Sequence, residues 1–285
     1  MKSVYALIIF SILNIAATNA QSKIVLIAGN KTHGPGEHEY VKTVRLLKVM
    51  LDKSGIKGLK TEVHFNGWPT DPTTLDDASL ILFYADGSDD KEEHDPMITD
   101  DHWSVIKKQV SRGCGLAVLH YSTFAPQRFA AEFMQWVGGY FDYESGKPGA
   151  SGSDAWYSAI KTETAIVTPV LSHPITRGLT EFPLHDEFYF KIHFPEESGR
   201  LKPALTANIP GVKGEQIVAW TIERKDGGRG FGFTGGHYYN NWENPAFRKF
   251  MLNALIWSAN LPVPSNGVES RFYTDQEVAA ALYHK

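Results

Sequence analysis

The sequence predicts an α/β protein built on a doubly wound, mainly parallel sheet. Between residues 23 and 137, short apolar runs alternate with segments whose apolar residues have helical spacing. The later runs are apolar on both faces, which is typical of strands covered by helices on both sides. Histidine-rich and acidic segments follow these strands, at the edge where open α/β sheets bind ligands.

A signal peptide is predicted over residues 1–20. Lys2 gives the N-terminal region a positive charge, and residues 4–15 are mostly apolar. The small residues Thr18 and Ala20 occupy the positions that signal peptidase recognises. The apolar stretch is too short to span a bilayer as a helix. We therefore expect cleavage near Ala20 and a soluble mature protein in the periplasm or outside the cell, with no membrane partner after cleavage.

The rest of the chain suits one large α/β domain, placed at residues 21–262, with a C-terminal tail at 263–285.

The formal net charge is −4 and no basic run is present, which argues against nucleic acid as a partner. Cys114 is the single cysteine, so an intrachain disulfide cannot form. Stability must come from an ordinary core, for which a hydrophobic content of 42% is sufficient. The oligomeric state is left open.

A polar loop joins the first predicted strand to the first predicted helix. Residues 23–29 form an apolar run typical of a buried strand, and residues 40–54 carry apolar side chains at helical spacing. The loop glycines match neither the dinucleotide fingerprint nor the P-loop, so nucleotide binding has little support. A turn that only caps a helix needs no histidines. We therefore predict a functional loop that contains His33, Glu37, His38 and Glu39.

Three further strands continue the alternating pattern, at residues 59–65, 79–84 and 115–119. One helix is expected from a cap at Thr99 or Asp100 to Gly113, and another at residues 127–137. The third strand leads into an acidic segment that starts Asp86-Gly87-Ser88-Asp89-Asp90, and the fourth leads into His120-Tyr121-Ser122.

The order of the strands brings these loops together. Right-handed crossovers place helices on both faces of the sheet. In the flavodoxin-like order 2-1-3-4-5, the switch point lies between the first and third strands. The loops at residues 33–39, 86–95 and 120–123 should therefore meet at one crevice.

The second half of the chain predicts additional strands, at residues 158–164, 185–190, 201–207 and 216–223. A glycine-rich strand at 229–236 then delivers His237, which is followed by an aromatic segment that includes Trp242. Asn244 and Pro245 are typical of a helix start, and the helix is expected to run to about Ser258.

The positions of the reactive side chains favour acid–base or metal chemistry over a nucleophile. Cys114 precedes the fourth strand, at its amino end, and no G-x-S-x-G elbow is present. Histidine titrates near neutrality and is the commonest general base. Four histidines follow predicted strands: His33, His38, His120 and His237. With nearby carboxylates they could form either a proton-transfer set or a three-ligand metal site with an open position, although no H-E-x-x-H motif is present.

Six segments spread in order over almost the whole mature chain carry a family resemblance, at residues 32–40, 115–120, 173–179, 186–189, 235–237 and 242–248. In these segments the chain resembles the ThuA-like (trehalose utilisation) family of the class I glutamine amidotransferase-like superfamily. The resemblance implies that superfamily's fold without its cysteine nucleophile. It also implies a role in the use of disaccharides or glycosides through 3-keto sugar intermediates.

The resemblance implies a pocket formed by His33, His38, Glu39, His120, Glu187, Tyr189 and His237. After the third strand the chain has Asp86-Gly87-Ser88-Asp89 where family members have histidines, which argues against a metal centre. We expect four catalytic residues, namely His120, His237, Glu39 and Glu187. We expect the substrate to contact His33, His38, Asp86, Tyr121, Asp186, Tyr189 and Trp242. No residue is assigned to a metal, although a divalent cation is compatible with the histidines.

The leading functional hypothesis is an exported enzyme that acts on a 3-keto sugar or glycoside by elimination, hydration or isomerisation. A histidine or glutamate base would remove the proton that the keto group acidifies. The alternatives are a non-catalytic carbohydrate-binding protein and a metal-dependent hydrolase. A glutamine amidotransferase is not expected, and no cofactor is assigned beyond the divalent metal that the histidines allow. The expected partner is a small sugar or glycoside.

Overall fold

Alternating strands and helices form the first half of the structure. The computed structural model describes residues 21–89, 91–99, 101–147, 149–196 and 199–283, so the predicted signal peptide, Asp90 and the Asp100 cap lie outside the described residues. The elements are β1 (Ser22–Ala28), α1 (Tyr40–Asp52), β2 (Leu59–His64), β3 (Ala78–Tyr84), α2 (His102–Ser111), β4 (Gly115–Leu119) and α3 (Gln127–Val137). The fully described segment between β2 and β3 forms only a short 3₁₀ helix at Pro72–Leu75, because its prolines disfavour a longer helix.

The second half adds an antiparallel extension to the sheet. Its elements are β5 (Ala159–Pro169), β6 (Phe182–Phe190), β7 (Leu201–Ala207), β8 (Gln216–Glu223), β9 (Arg229–Phe233), α4 (Pro245–Ser258) and α5 (Asp275–Tyr283). The strands of the described residues pair in the order β2-β1-β3-β4-β9-β8-β7-β5-β6. The first five in this order are parallel, and the remaining pairings are antiparallel. The predicted flavodoxin-like order is confirmed, with glycine-rich β9 in the fifth place.

Alternate side chains of the central strands pack into two separate apolar layers. Ile24 and Leu26 of β1 lie in the layer that contains α1 and α4, whereas Val25 and Ile27 lie with α2 and α3. All four side chains are fully buried. Helices therefore cover both faces of the parallel part of the sheet, as a doubly wound topology requires.

The helix starts follow local sequence chemistry. The Asn244 side chain accepts hydrogen bonds from the backbone N–H groups of Ala246 and Phe247, which begins α4 where the sequence predicts.

The C-terminal tail folds back so that α5 packs against α1. Over the described part of the chain, no helix combines the length and the apolar character needed to cross a membrane.

The start of β4, the strand that carries His120 at its end, tolerates no side chain. A Cβ atom added to Gly115 would lie 2.2 Å from the carbonyl oxygen of Ser258, the last residue of α4. We expect Gly115→Ala to lower the free energy of unfolding by about 1–3 kcal/mol, the usual effect of overpacking. Urea denaturation measures this change. The matched control is Gly199→Ala, where an added Cβ meets no heavy atom within 4 Å. Equal stability of the two variants would contradict this packing argument.

Candidate active site

Backbone pairing brings the loop after β1 against the segment after β9. The His38 N–H donates to the His237 carbonyl oxygen (3.0 Å), and the Tyr239 N–H donates to the Gly36 carbonyl oxygen (2.8 Å). Glu37 and Tyr238 form an antiparallel bridge between these contacts. As a result, His38 Nε2 lies 2.9 Å from His237 Nδ1, although the residues are 199 positions apart.

His120 enters from a sharp turn directly after β4. Its backbone is left-handed, with φ 49°, and its side chain is fully buried. The His120 Nδ1–H donates to the carbonyl oxygen of Thr234 (2.7 Å). Its Nε2 atom therefore faces the other two rings, at 3.1 Å from His38 Nε2 and 3.2 Å from His237 Nδ1.

Strand β6 adds a carboxylate and a phenol to the same point. Glu187 Oε2 lies 3.5 Å from His120 Nε2 and 3.3 Å from His237 Nδ1. The Tyr189 hydroxyl, two residues along the same strand face, lies 2.9 Å from His120 Nε2. We call His38, His120, Glu187 and His237 the His₃Glu cluster; one ligand-type atom from each lies within 4.8 Å of the others.

The cluster keeps an ionised carboxylate next to neutral imidazole. Burial lowers the pKa of His38 to about 3, so this ring is neutral near pH 7. Burial works to raise the pKa of Glu187, but its contacts with His120 and His237 hold that pKa well below the usual range. For His237, burial works to lower the pKa, while the contact with Glu187 raises it above the ordinary value overall.

A buried relay supports His38 from behind. The Tyr40 hydroxyl donates to the Asp86 carboxylate and lies 2.6 Å from His38 Nδ1, from which it accepts. Thr32 Oγ1 also donates to Asp86 (2.9 Å). Burial works to raise the pKa of Asp86, but the contact with His38 (3.6 Å) and the hydrogen bonds from Tyr40 and Thr32 lower it overall. Asp86 was predicted to contact substrate, and the structure places its carboxylate on these three side chains instead.

Asp186 also has a structural role, because its carboxylate accepts hydrogen bonds from the backbone. It is fully buried, and its carboxylate accepts the backbone N–H groups of Gly236 (2.7 Å), His237 (3.0 Å) and Glu187 (2.9 Å). These three bonds fix the backbone at two members of the His₃Glu cluster. The prediction that Asp186 contacts substrate is therefore corrected: it positions His237 and Glu187.

Replacement of Asp186 by Asn should disturb this support. One oxygen of the carboxylate becomes an NH₂ group that faces backbone donors, which leaves a buried N–H without an acceptor. We expect Asp186→Asn to cost about 1–3 kcal/mol of unfolding free energy. Urea denaturation measures this loss, with exposed Asp101→Asn as the control. A variant as stable as the control would contradict the proposed support.

Glu37, rather than Glu39, reaches the cluster. The Glu39 carboxylate pairs with Lys31 and accepts the Gly36 N–H (2.9 Å). Glu37 Oε1 lies 3.9 Å from His237 Nε2. The left-handed backbone at His38, with φ 44°, turns the chain between the two glutamates. The sequence-based prediction named Glu39 as a catalytic group, whereas in this structure the carboxylate of this loop in contact with His237 is that of Glu37.

Trp242 was predicted to contact the substrate, but its side chain does not line the crevice. It is 2% exposed and packs edge-on against Phe247 of α4 at a ring-centroid distance of 5.0 Å. Its place is in the apolar layer formed with α4. Trp242 therefore supports the segment that follows His237 from the core side.

His33 and Tyr121 border the cluster on its outer side. The exposed His33 ring lies against His38 with a centroid separation of 3.6 Å. The Tyr121 ring meets His38 edge-on at 5.6 Å, and its hydroxyl donates to Asp89. Both predicted substrate contacts therefore lie at the rim of the site.

An open cavity of about 510 Å³ adjoins the cluster through Glu37. Its wall includes Lys42, Tyr238, Tyr239 and Phe272. Its volume falls within the usual range for small-molecule sites. Aromatic faces beside charged groups suit a polar ligand with apolar ring faces, such as a sugar. Phe272 belongs to the C-terminal tail, so the tail contributes to this wall.

A family model and several solved structures are similar to this chain. The family model of ThuA, described as trehalose utilisation, matches residues 25–258. A ThuA-like protein from Parabacteroides merdae is 17% identical with a TM-score of 0.57, and the match covers 88% of this chain and 97% of that one. A ThuA-like protein from Bacteroides uniformis is 14% identical with a TM-score of 0.58, covering 85% and 93%.

One further match is a part of a larger protein. The β-galactosidase from Rahnella sp. R3 has a TM-score of 0.53 at 12% identity, over 85% of this chain and 32% of that one. At such identities these likenesses concern the fold alone. Among proteins with curated descriptions, none matches the sequence significantly.

Proposed function

Because the chain belongs to the ThuA family of trehalose utilisation, we propose that it is an enzyme that removes a proton next to the carbonyl of a 3-keto sugar. The family gives the chain a role related to trehalose utilisation. The keto-sugar substrate and the reaction are our proposal. Export through the predicted signal peptide would place this reaction in the periplasm or outside the cell.

The observation that carries the proposal is the convergence of the His₃Glu cluster beside an open polar cavity. The pKa values of His38, Glu187 and His237 are perturbed, which is typical of catalytic sites, and a buried group of imidazoles and a carboxylate is costly in a purely structural role. A protein that only held sugar would need the aromatic wall of the cavity but not this buried polar centre.

The first step is the same for elimination, hydration and isomerisation. The C2–H bond of the 3-keto sugar breaks, its proton passes to the Glu37 carboxylate, and its electron pair forms an enolate with the C3 oxygen. Glu37 suits the role of base because it lies at both the cavity and the cluster. Burial keeps the pKa of Tyr189 well above its usual value, so its hydroxyl stays protonated and donates to the enolate oxygen.

The second step depends on the leaving group. If the C1–O bond to the aglycone breaks, the enolate electrons form the C1–C2 double bond and the departing oxygen takes the proton that Glu37 received from C2. If water adds at C1, the overall result is hydrolysis. If a proton returns to C2 from the other face, the result is isomerisation.

Deuterium exchange tests the shared first step. The purified protein is incubated with a 3-keto-glucoside or 3-keto-trehalose in D₂O, and NMR follows the C2 proton and the products. We expect loss of the C2–H signal to be catalysed by the protein, with or without cleavage. Saturable sugar binding with neither exchange nor products would overturn the proposal in favour of a binding protein.

A further inference from the structure

We infer that the His₃Glu cluster binds one divalent first-row transition metal ion through His38 Nε2, His120 Nε2, His237 Nδ1 and Glu187 Oε2. The inference rests on the proposed function for its catalytic meaning, since both use the same site. The binding itself is argued from geometry alone. It also differs from the sequence-based expectation, which assigned no residue to a metal.

Five of the six separations between the four ligand atoms are close to those expected around one metal ion, and the sixth, between His38 Nε2 and Glu187 Oε2, is at most 4.8 Å. Five separations lie between 2.9 and 3.5 Å, namely three between nitrogens and two from the Glu187 oxygen. A metal with bonds of about 2.0–2.1 Å to each atom requires corners about 3.3–3.4 Å apart in tetrahedral geometry. The five measured separations therefore need only small adjustments to enclose an ion.

Hydrogen bonds on the outer ring nitrogens leave bare nitrogens inside the cluster. His120 Nδ1–H donates to the Thr234 carbonyl, which can only accept. His38 Nδ1–H donates to Tyr40, whose own hydrogen goes to Asp86. In neutral imidazole the other nitrogen then carries a lone pair. Both Nε2 atoms therefore present lone pairs towards the same point, 3.1 Å apart, and the Tyr189 hydroxyl lies 2.9 Å from the lone pair of His120.

A single proton can pair with fewer of these inward-facing nitrogen and oxygen atoms than a metal ion can. One proton on His237 Nδ1 can bridge to a single neighbour, either His38 Nε2 or Glu187 Oε2. The Tyr189 hydroxyl can donate to His120 Nε2 (2.9 Å), but whichever of His38 Nε2 and Glu187 Oε2 does not receive the His237 proton is left without it in a buried site. A divalent cation attracts all four atoms at once and compensates the Glu187 charge. Three imidazoles with one carboxylate are the ligand types that zinc and its neighbours accept.

The surroundings resemble the support that metal ligands need. Asp86 acts on His38 through Tyr40, Thr234 orients His120, and Glu37 faces the outer nitrogen of His237. Two of the three histidines, His38 and His120, also hold left-handed backbone conformations. Such conformations cost energy in residues other than glycine and concentrate at functional sites. When bound, the metal would supply positive charge beside the keto oxygen, and Lewis-acid action on that oxygen would require it to enter as a fifth ligand, because the protein supplies four.

Metal titration of the purified full chain tests the inference. Chelator-treated protein is titrated with Zn²⁺ by calorimetry, and with Co²⁺ while visible absorption reports tetrahedral coordination. We expect saturable binding of a single ion per chain, lost in His120→Asn and Glu187→Gln. Tyr40→Phe should keep the ligands but weaken Zn²⁺ affinity by about 10–100-fold, as loss of an outer partner does. The control is His64→Asn, on β2 outside the cluster.

The outcomes separate this inference from the proposed function. Circular dichroism shows which variants fold; if His120→Asn does not, the partly exposed Glu187→Gln decides. Zn²⁺ affinity in Glu187→Gln and Tyr40→Phe equal to that in His64→Asn would overturn the metal site. Exchange of the C2 proton at full rate by protein that binds no Zn²⁺ would overturn it and leave the proposed function standing. Saturable Zn²⁺ binding without exchange of the C2 proton would support the metal site and overturn the proposed function.

Discussion

His120→Asn and His237→Asn are each expected to lower the rate of C2–H exchange by about 10²–10⁴-fold, the usual range for loss of acid–base catalysis, because His237 lies 3.9 Å from the base Glu37 and His120 lies 2.9 Å from the proton donor Tyr189. Asn keeps polarity and approximate size but cannot replace the ring nitrogen that faces the cluster. His120 is fully buried at the end of β4 and His237 is 7% exposed, so neither has a substitute from solvent.

The control for this pair is His64→Asn, because His64 lies on β2 and hydrogen-bonds Glu62 rather than the cluster. Circular dichroism and urea denaturation confirm that each variant folds before its rate is compared. Full activity in both His120→Asn and His237→Asn would refute the assignment of the cluster as the reaction centre. Loss in only one would identify the histidine that acts.

The loops at the carboxyl edge of the sheet were predictable because parallel strands constrain them strongly. A buried apolar run fixes where β4 ends, and His120 follows it at once. β9 pairs with β4 in parallel, so the segment after β9 must emerge beside His120. Topology alone thus places His38, His120 and His237 near one another.

The roles of neighbouring carboxylates were not predictable from position along the chain. Glu37 and Glu39 are two residues apart in one loop, and only the left-handed turn at His38 decides which faces the cluster. Sequence carries a weak signal for that turn, since glycine usually occupies such conformations. Asp186 and Glu187 are adjacent, yet strand alternation sends one to buried backbone donors and the other to the histidines.

Tyr40 was missed for a related reason. It begins α1, where its apolar ring suits the core, and nothing in the sequence marks its hydroxyl as a bridge between His38 and Asp86. A buried tyrosine needs a hydrogen-bond partner, but the partner lies 46 residues away on another loop. Asp86 likewise could be placed at the crevice but not behind the histidine.

Glu37→Gln is expected to lower kcat for C2–H exchange by about 10²–10⁴-fold, because the amide keeps the shape of the side chain but cannot accept the proton. KM for the keto sugar should change far less, since the aromatic wall of the cavity remains. Zn²⁺ binding should persist, because Glu37 faces the outer nitrogen of His237 at 3.9 Å rather than the centre of the cluster.

The matched control is Glu39→Gln, which makes the same chemical change two residues away. Its carboxylate pairs with Lys31, and we expect its loss to have little effect on kcat. Steady-state kinetics and deuterium exchange on both variants decide between the two glutamates. If Glu39→Gln loses exchange while Glu37→Gln keeps it, the base is Glu39, as the sequence pattern predicted, and the loop must rearrange when sugar binds.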